Sequence, residues 1–217
     1  ATPSLLSQVI CNKYQFAIPL YRQEALFKQI DIDLNRKTLA NWMIRSAAVF
    51  EPVINALKDT LLIQTAIHAD ETPVKVIQED REKCYMWVYC SGADSPDDTQ
   101  ANKNIVLYDY QPSRAASCPI NYLGGYKGFL QVDGYAGYES TTAMLVGCMA
   151  HARRKFIDAQ KAQLKGKSGR ADWAVSHIQK LYKIEAQLKT KTNAERFEIR
   201  KDLSVPLLNE FKAWLDK

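Results

Sequence analysis

The stretch IHADETPVKV, residues 67–76, decides the fold. It sets an acidic pair, Asp70–Glu71, and a Thr-Pro inside a run otherwise made of strand-forming residues. Two readings are open. Carboxylates before Thr-Pro make an ordinary turn. The same carboxylates on a strand make half of a divalent-metal site, because clustered carboxylate oxygens are the hard ligands that Mg²⁺ or Mn²⁺ prefers. For Glu71, Thr72 and Pro73 the turn explanation suffices; Asp70 is the candidate ligand.

Downstream, CYMWVYC (84–90) and NIVLYDY (104–110) are dense β-branched and aromatic runs. With the first run they predict three strands in an antiparallel meander. SGADSPDDTQANK (91–103) is a polar loop of turn-formers between the last two. Residues 112–123 can make one helix, closed by Gly124–Gly125 as a C-cap. GFLQVD (128–133) reads as a fourth strand, apolar on both faces and so central. Residues 143–149 read as a fifth.

Both flanks are helical. Helices are expected near 4–14, over 20–30 after Pro19, and over 36–46 with Asn35 as N-cap. Pro52 starts or kinks the next, whose Phe50, Val53, Ile54, Leu57 and Leu61 form an apolar stripe. After His151, helices are expected over 152–165, 172–189 and 193–203, with GKSGRA (166–171) as the first connecting loop. Pro206 opens a short last one. The expected fold is therefore a mixed α/β, ribonuclease H-like sheet of five strands. A helical segment (1–62) precedes this core (63–156), and a basic helical part (157–217) follows it.

In such a sheet the first and fourth strands are neighbours. Asp133 ends the fourth, in QVDGYAGY. Neighbouring strands lie about 4.8 Å apart, so carboxylates at matching heights can share one cation. Asp133–Gly134 is also a strong turn dipeptide, and that reading stays open.

The net charge of +5 is unevenly spread. Residues 151–217 hold 16 Lys/Arg against 8 Asp/Glu, and residues 1–150 hold 13 against 16. A basic last third suits a polyanion such as nucleic acid, or simply solvated helix faces. In GCMAHARRKF (147–156), His151, Arg153, Arg154 and Lys155 sit where a strand hands over to a helix. They can hold phosphates near the acids, or form a basic helix face. Helix, short turn, helix over 20–46 resembles a helix-turn-helix, with Arg36, Lys37 and Arg45 on its second helix as candidate DNA contacts. The competing reading is a helical brace.

No apolar run approaches the roughly 20 residues of a bilayer span. The N-terminus lacks the basic start and long apolar core of a signal peptide. Five scattered cysteines suggest reduced thiols in a cytoplasmic protein. Cys148 and His151 make only half a zinc pattern, and GxSxG, P-loop and GxGxxG motifs are absent.

HADETPVKV, LQVDGYAGY and GCMAHARRKF, in this order and spacing, resemble the insertion sequence 66 family of transposases. PLYRQEALF and LNRKTLANWM resemble the helical segment before that family's catalytic domain. The resemblance implies a DDE transposase: Mg²⁺-dependent cleavage of DNA and strand transfer on a ribonuclease H-like fold. DNA, as transposon ends and target, is then the partner, a homo-oligomer is admitted, and no membrane is involved. Asp70 matches the first acid, Asp133 the second, and His151, Arg153 and Arg154 the histidine-and-basic motif. The third acid, a Glu in an Asp-Asn-Asn…Glu-Arg stretch, has no match: Glu185, Glu195, Glu198 and Glu210 fit nothing in the family pattern. The resemblance therefore implies a central fragment with two of three acids, its basic part (157–217) being a partial helical insertion in an incomplete core, weak in catalysis by itself. A DNA-binding or assembly module from a decayed transposase is the alternative.

Overall fold

The computed structural model describes residues 1–92, 104–162 and 169–217. Most of the loops expected at 91–103 and 166–171 falls outside these residues. The chain divides into two units, Ala1–Leu57 and Lys58–Lys217.

The first unit is helical. Helix α1 spans Pro3–Tyr14, α2 Leu20–Gln29, and α3 runs from Arg36 to Leu62, past the unit boundary. Asn35 caps α3 as expected, its Oδ1 accepting from the Thr38 amide at 2.8 Å. The tight turn before it uses Asp31 in the left-handed region (φ 58°) where a glycine is more usual. Pro52 does not start a new helix: it lies inside α3. Proline leaves the carbonyl four residues earlier unbonded, and here that residue, Ala48, is exposed, so water can take the bond. Gln23 is buried, and its amide donates to the Val9 and Ile18 carbonyls, tying α2 to the middle of α1 and to the connection between them.

The second unit is built on one sheet. Strand β1 spans Ala66–Val74, β2 Cys84–Ser91, β3 Ile105–Gln111, β4 Phe129–Val132 and β5 Met144–Gly147. Their order is β3-β2-β1-β4-β5. The meander β1-β2-β3 is antiparallel, and β1-β4 and β4-β5 are parallel. β1 is thus central, and its parity sets the two faces of the sheet. Ile67, Ala69 and Glu71 point to one face with Trp87, Tyr89, Leu107 and Leu130, and all are buried. Helix α4 (Ser117–Leu123) and the end of α3 cover this face with Cys118, Leu123 and Leu61. On the opposite face Val106, Tyr108, Phe129, Met144 and Val146 are exposed.

Two expectations change here. The turn at Glu71–Pro73 is absent, because β1 runs unbroken to Val74 and pairs with β2 through Glu71↔Trp87, Thr72↔Met86 and Pro73↔Tyr85. Pro73 is tolerated because backbone polar groups alternate along a strand. Thr65 turns its carbonyl to β4, so Pro73's missing amide lies on that side too, past the last β1–β4 pair at His68. The helix expected at 112–123 starts only at Ser117, leaving 112–116 as an irregular approach that carries Arg114. It does end at Gly124, left-handed at φ 55°, as a C-cap.

The remaining helices are α5 (Met149–Lys161), α6 (Arg170–Gln187), α7 (Asn193–Ile199) and α8 (Val205–Leu215). α7 and α8 join through a wide π turn, Arg200–Ser204, which places Pro206 at the start of α8, where its missing amide is least costly. Ala174, Ile178 and Phe211 form a second small core, with Trp173, Trp214 and Phe156 packed on it. His177, buried and stacked on Trp173 (4.5 Å), bonds through Nε2 to the Leu207 carbonyl at 2.8 Å. Among the described residues no helix is long and apolar enough to cross a membrane. The five cysteines are free.

Candidate active site

β1 and β4 pair in the register Ala66↔Phe129, Ile67↔Leu130, His68↔Gln131. Carried two residues further, that register brings Asp70 level with Asp133. Asp70 is in the middle of β1, and Asp133 is the first residue after β4. Both fall on the open-face parity of the sheet, where solvent reaches both side chains. The Asp70 side chain is 56% exposed and that of Asp133 27%.

Asp133 is also a turn residue. Its Oδ1 accepts from the Tyr135 amide at 2.8 Å, and Gly134 takes φ +91°, a conformation glycine adopts without strain. The two readings of Asp-Gly are therefore compatible: the turn fixes one carboxylate oxygen.

The parallel pair β4–β5 delivers the chain to α5, with Cys148 as its N-cap residue. His151, in the first turn, has Nε2 3.7 Å from Asp70 Oδ2. Arg153 turns away from the acids, its guanidinium 6.0 Å from the Tyr182 ring on α6. Arg154 and Lys155 are exposed. The sheet thus brings His151 to Asp70 and sets Asp133 level with Asp70, while Arg153 has its contact with Tyr182. Arg36, Lys37 and Arg45 are exposed on α3 in the first unit, where Arg45 and Trp42 line an apolar cavity of about 450 Å³.

Behind this site lies a network the sequence did not reveal. The Glu71 side chain is only 1% exposed. Its Oε1 accepts from Arg114 Nε at 2.7 Å and from Nη2, and its Oε2 accepts from the Tyr138 hydroxyl at 2.7 Å. Burial works against the charge on Arg114, but its bonds to Glu71 and nearby carboxylates outweigh that and raise its pKa. Burial and then the bond to Glu71 push the Tyr138 phenol far up, so it stays a donor. Nη2 of Arg114 also lies 3.9 Å from Asp133 Oδ2. A signal existed: an Arg in an otherwise neutral stretch, QPSRAAS, entering a core helix.

Two of the unmatched acids of the basic region, Glu185 and Glu195, do structural work. Glu185 holds Arg200 through two bonds of 2.9 and 2.7 Å. Glu195 closes a capping box with Thr192 at the start of α7. Glu210 lies 3.9 Å from His177. Among the described residues no group of three or more His, Cys, Asp or Glu side chains could hold a metal ion. Asp70 and Asp133 fit Mg²⁺ or Mn²⁺ by donor chemistry, as an incomplete set.

A family model described as "Transposase IS66 family" matches residues 1–217. Three curated relatives come from Sinorhizobium fredii (strain NBRC 101917 / NGR234). "Uncharacterized protein y4jD" is 32% identical over 99% of this chain and 44% of its own length. "Uncharacterized protein y4hP" is 32% identical over 99% and 42%. "Uncharacterized protein y4qI" is 28% identical over 98% and 41%. The chain thus spans about two fifths of the length of the relatives it matches. No solved structure matches.

Proposed function

Because the chain belongs to the IS66 family of transposases, we propose that it carries the ribonuclease H-like sheet of a DNA transposase, with Asp70 and Asp133 as its first two metal-holding carboxylates. What supports this reading is the β1–β4 register, which, carried two residues past its last pair, sets Asp133, just after β4, level with Asp70 on the open-face parity. When bound, Mg²⁺ or Mn²⁺ supplies Lewis-acid polarisation and charge neutralisation at a phosphodiester. Asp70 and Asp133 set where that charge sits. Exposed Arg154 and Lys155 on α5 attract the phosphate backbone, and Arg36, Lys37 and Arg45 give the first unit a DNA contact of its own.

In the full-length protein, working in the cytoplasm, a water oxygen attacks phosphorus, the P–O3′ bond breaks, and the departing 3′ oxygen takes up a proton. That 3′-hydroxyl then attacks a phosphodiester of target DNA, its proton passing to the oxygen that leaves.

A second reading is a DNA-binding or assembly module without catalysis. It is favoured by the lack, among the described residues, of a third ligand beside the pair. One experiment separates them: full-length protein, a supercoiled plasmid carrying the transposon ends, and Mg²⁺. Asp70→Asn or Asp133→Asn is expected to reduce nicking to background while salt-dependent DNA binding persists. Wild-type nicking by either variant overturns the catalytic reading. Binding with no nicking by the wild type supports the second.

A further inference from the structure

Asp70 and Glu71 are consecutive on β1, so the pleat sends one to the open face and the other into the core. A buried carboxylate is costly unless paired and fully hydrogen-bonded. Glu71 meets that demand with Arg114 and Tyr138. Filling the core does not require such a pair, because apolar side chains of similar volume serve as well or better.

Arg114 does not end at Glu71. The same Nη2 that bonds Glu71 Oε1 lies 3.9 Å from Asp133 Oδ2. The guanidinium sits 3.8 Å over the Tyr135 ring. Tyr135 donates its hydroxyl to the Arg114 carbonyl and its amide to Asp133 Oδ1. Glu71, Arg114, Tyr135 and Asp133 form a chain of contacts from the core of the sheet to the end of β4. Asp133 Oδ1 thereby accepts a hydrogen bond from the Tyr135 amide, and Oδ2 faces the Arg114 charge at ion-pair distance.

We propose that Arg114, clamped from the core by Glu71, is a positioning residue that sets the Asp133 carboxylate toward Asp70 for a divalent cation. The proposal rests on the reading of Asp70 and Asp133 as the metal-holding pair. Its chemistry is orientation rather than charge. Glu71 balances Arg114, so the pair adds almost no net charge beside the cation, while the fork locked onto Glu71 holds the guanidinium 3.9 Å from Asp133 Oδ2. Groups that orient a metal ligand in this way change metal affinity by about 10–100-fold when removed.

The test is a titration of the full-length protein with Mn²⁺ alone, read by electron paramagnetic resonance, with thermal unfolding followed in parallel. Arg114→Met is expected to weaken Mn²⁺ binding about 10–100-fold at temperatures where it is folded. Arg114→Lys keeps the charge but loses the fork, and is expected to weaken binding with little change in melting. It decides the matter if the Met variant does not fold. Glu71→Gln frees Arg114's charge beside Asp133 and is expected to weaken binding as well. Wild-type Mn²⁺ affinity in folded Arg114→Lys overturns the positioning role alone, provided Asp70→Asn and Asp133→Asn lose Mn²⁺. Wild-type affinity in the two Asp variants overturns the acidic pair itself, and the positioning role with it.

Discussion

The two faces of β1 carry acids one residue apart that do opposite things. On the closed face, Glu71 sits opposite Trp87 and beside Tyr138, sealed from water and bound on both oxygens. On the open face, Asp70 sits opposite Val88, with His151 as its near neighbour and solvent in front. The chemistry of the side chains is nearly the same; the parity of their positions is not. A carboxylate in the core must be satisfied internally and becomes part of the framework. A carboxylate on the open face stays available to a cation or a substrate. The lesson is that an acid's role in this sheet is set by the face it occupies.

Three substitutions can break that contrast. The largest effect is expected at Trp87→Ala on the closed face. Trp87 is fully buried, edge-on to Tyr138 at 5.7 Å, and its loss should cost about 3–5 kcal/mol in urea unfolding. A cost under about 1 kcal/mol would show that this face is not the core. Next comes Glu71→Ala, which leaves Arg114 without its partner. Breaking a buried pair costs about 3–5 kcal/mol, and the low end applies because the Arg114 side chain is 39% exposed and keeps some contact with water. A surface acid's response, within about 0.5 kcal/mol, would count against the two-face contrast. Asp70→Asn should change stability least, by no more than about 0.5 kcal/mol, while removing nicking by the full-length protein. Marked destabilisation there would make Asp70 a structural residue like its neighbour.

Much of the framework was legible in the residues. The five strands follow from β-branched and aromatic runs, and the Asn35 cap and Gly124 terminus from local side-chain and backbone chemistry. These signals are short in range, so a sequence window contains them. The neighbouring placement of β1 and β4 came from the order of elements, and the register then set Asp70 level with Asp133. What was misread depends on distant contacts. Asp-Glu-Thr-Pro has the composition of a turn, yet β1 continues because β2 pairs with it through Val74. Pro52 reads as a helix start or a kink, and of these the start is ruled out, since Pro52 lies inside α3. Arg114 lay in a stretch assigned to a helix, and its partner is 43 residues away.

By itself the sequence determined the element order, the basic last third and the family motifs that single out Asp70, Asp133 and His151. Composition and short-range periodicity carry that information along the chain. Only the tertiary structure decided which acid of the pair faces outward and which is locked inside. It alone showed that Arg114 joins the buried one to Asp133. Face parity and ion pairing depend on strand register and on groups brought together across the fold, and no local stretch of residues encodes them.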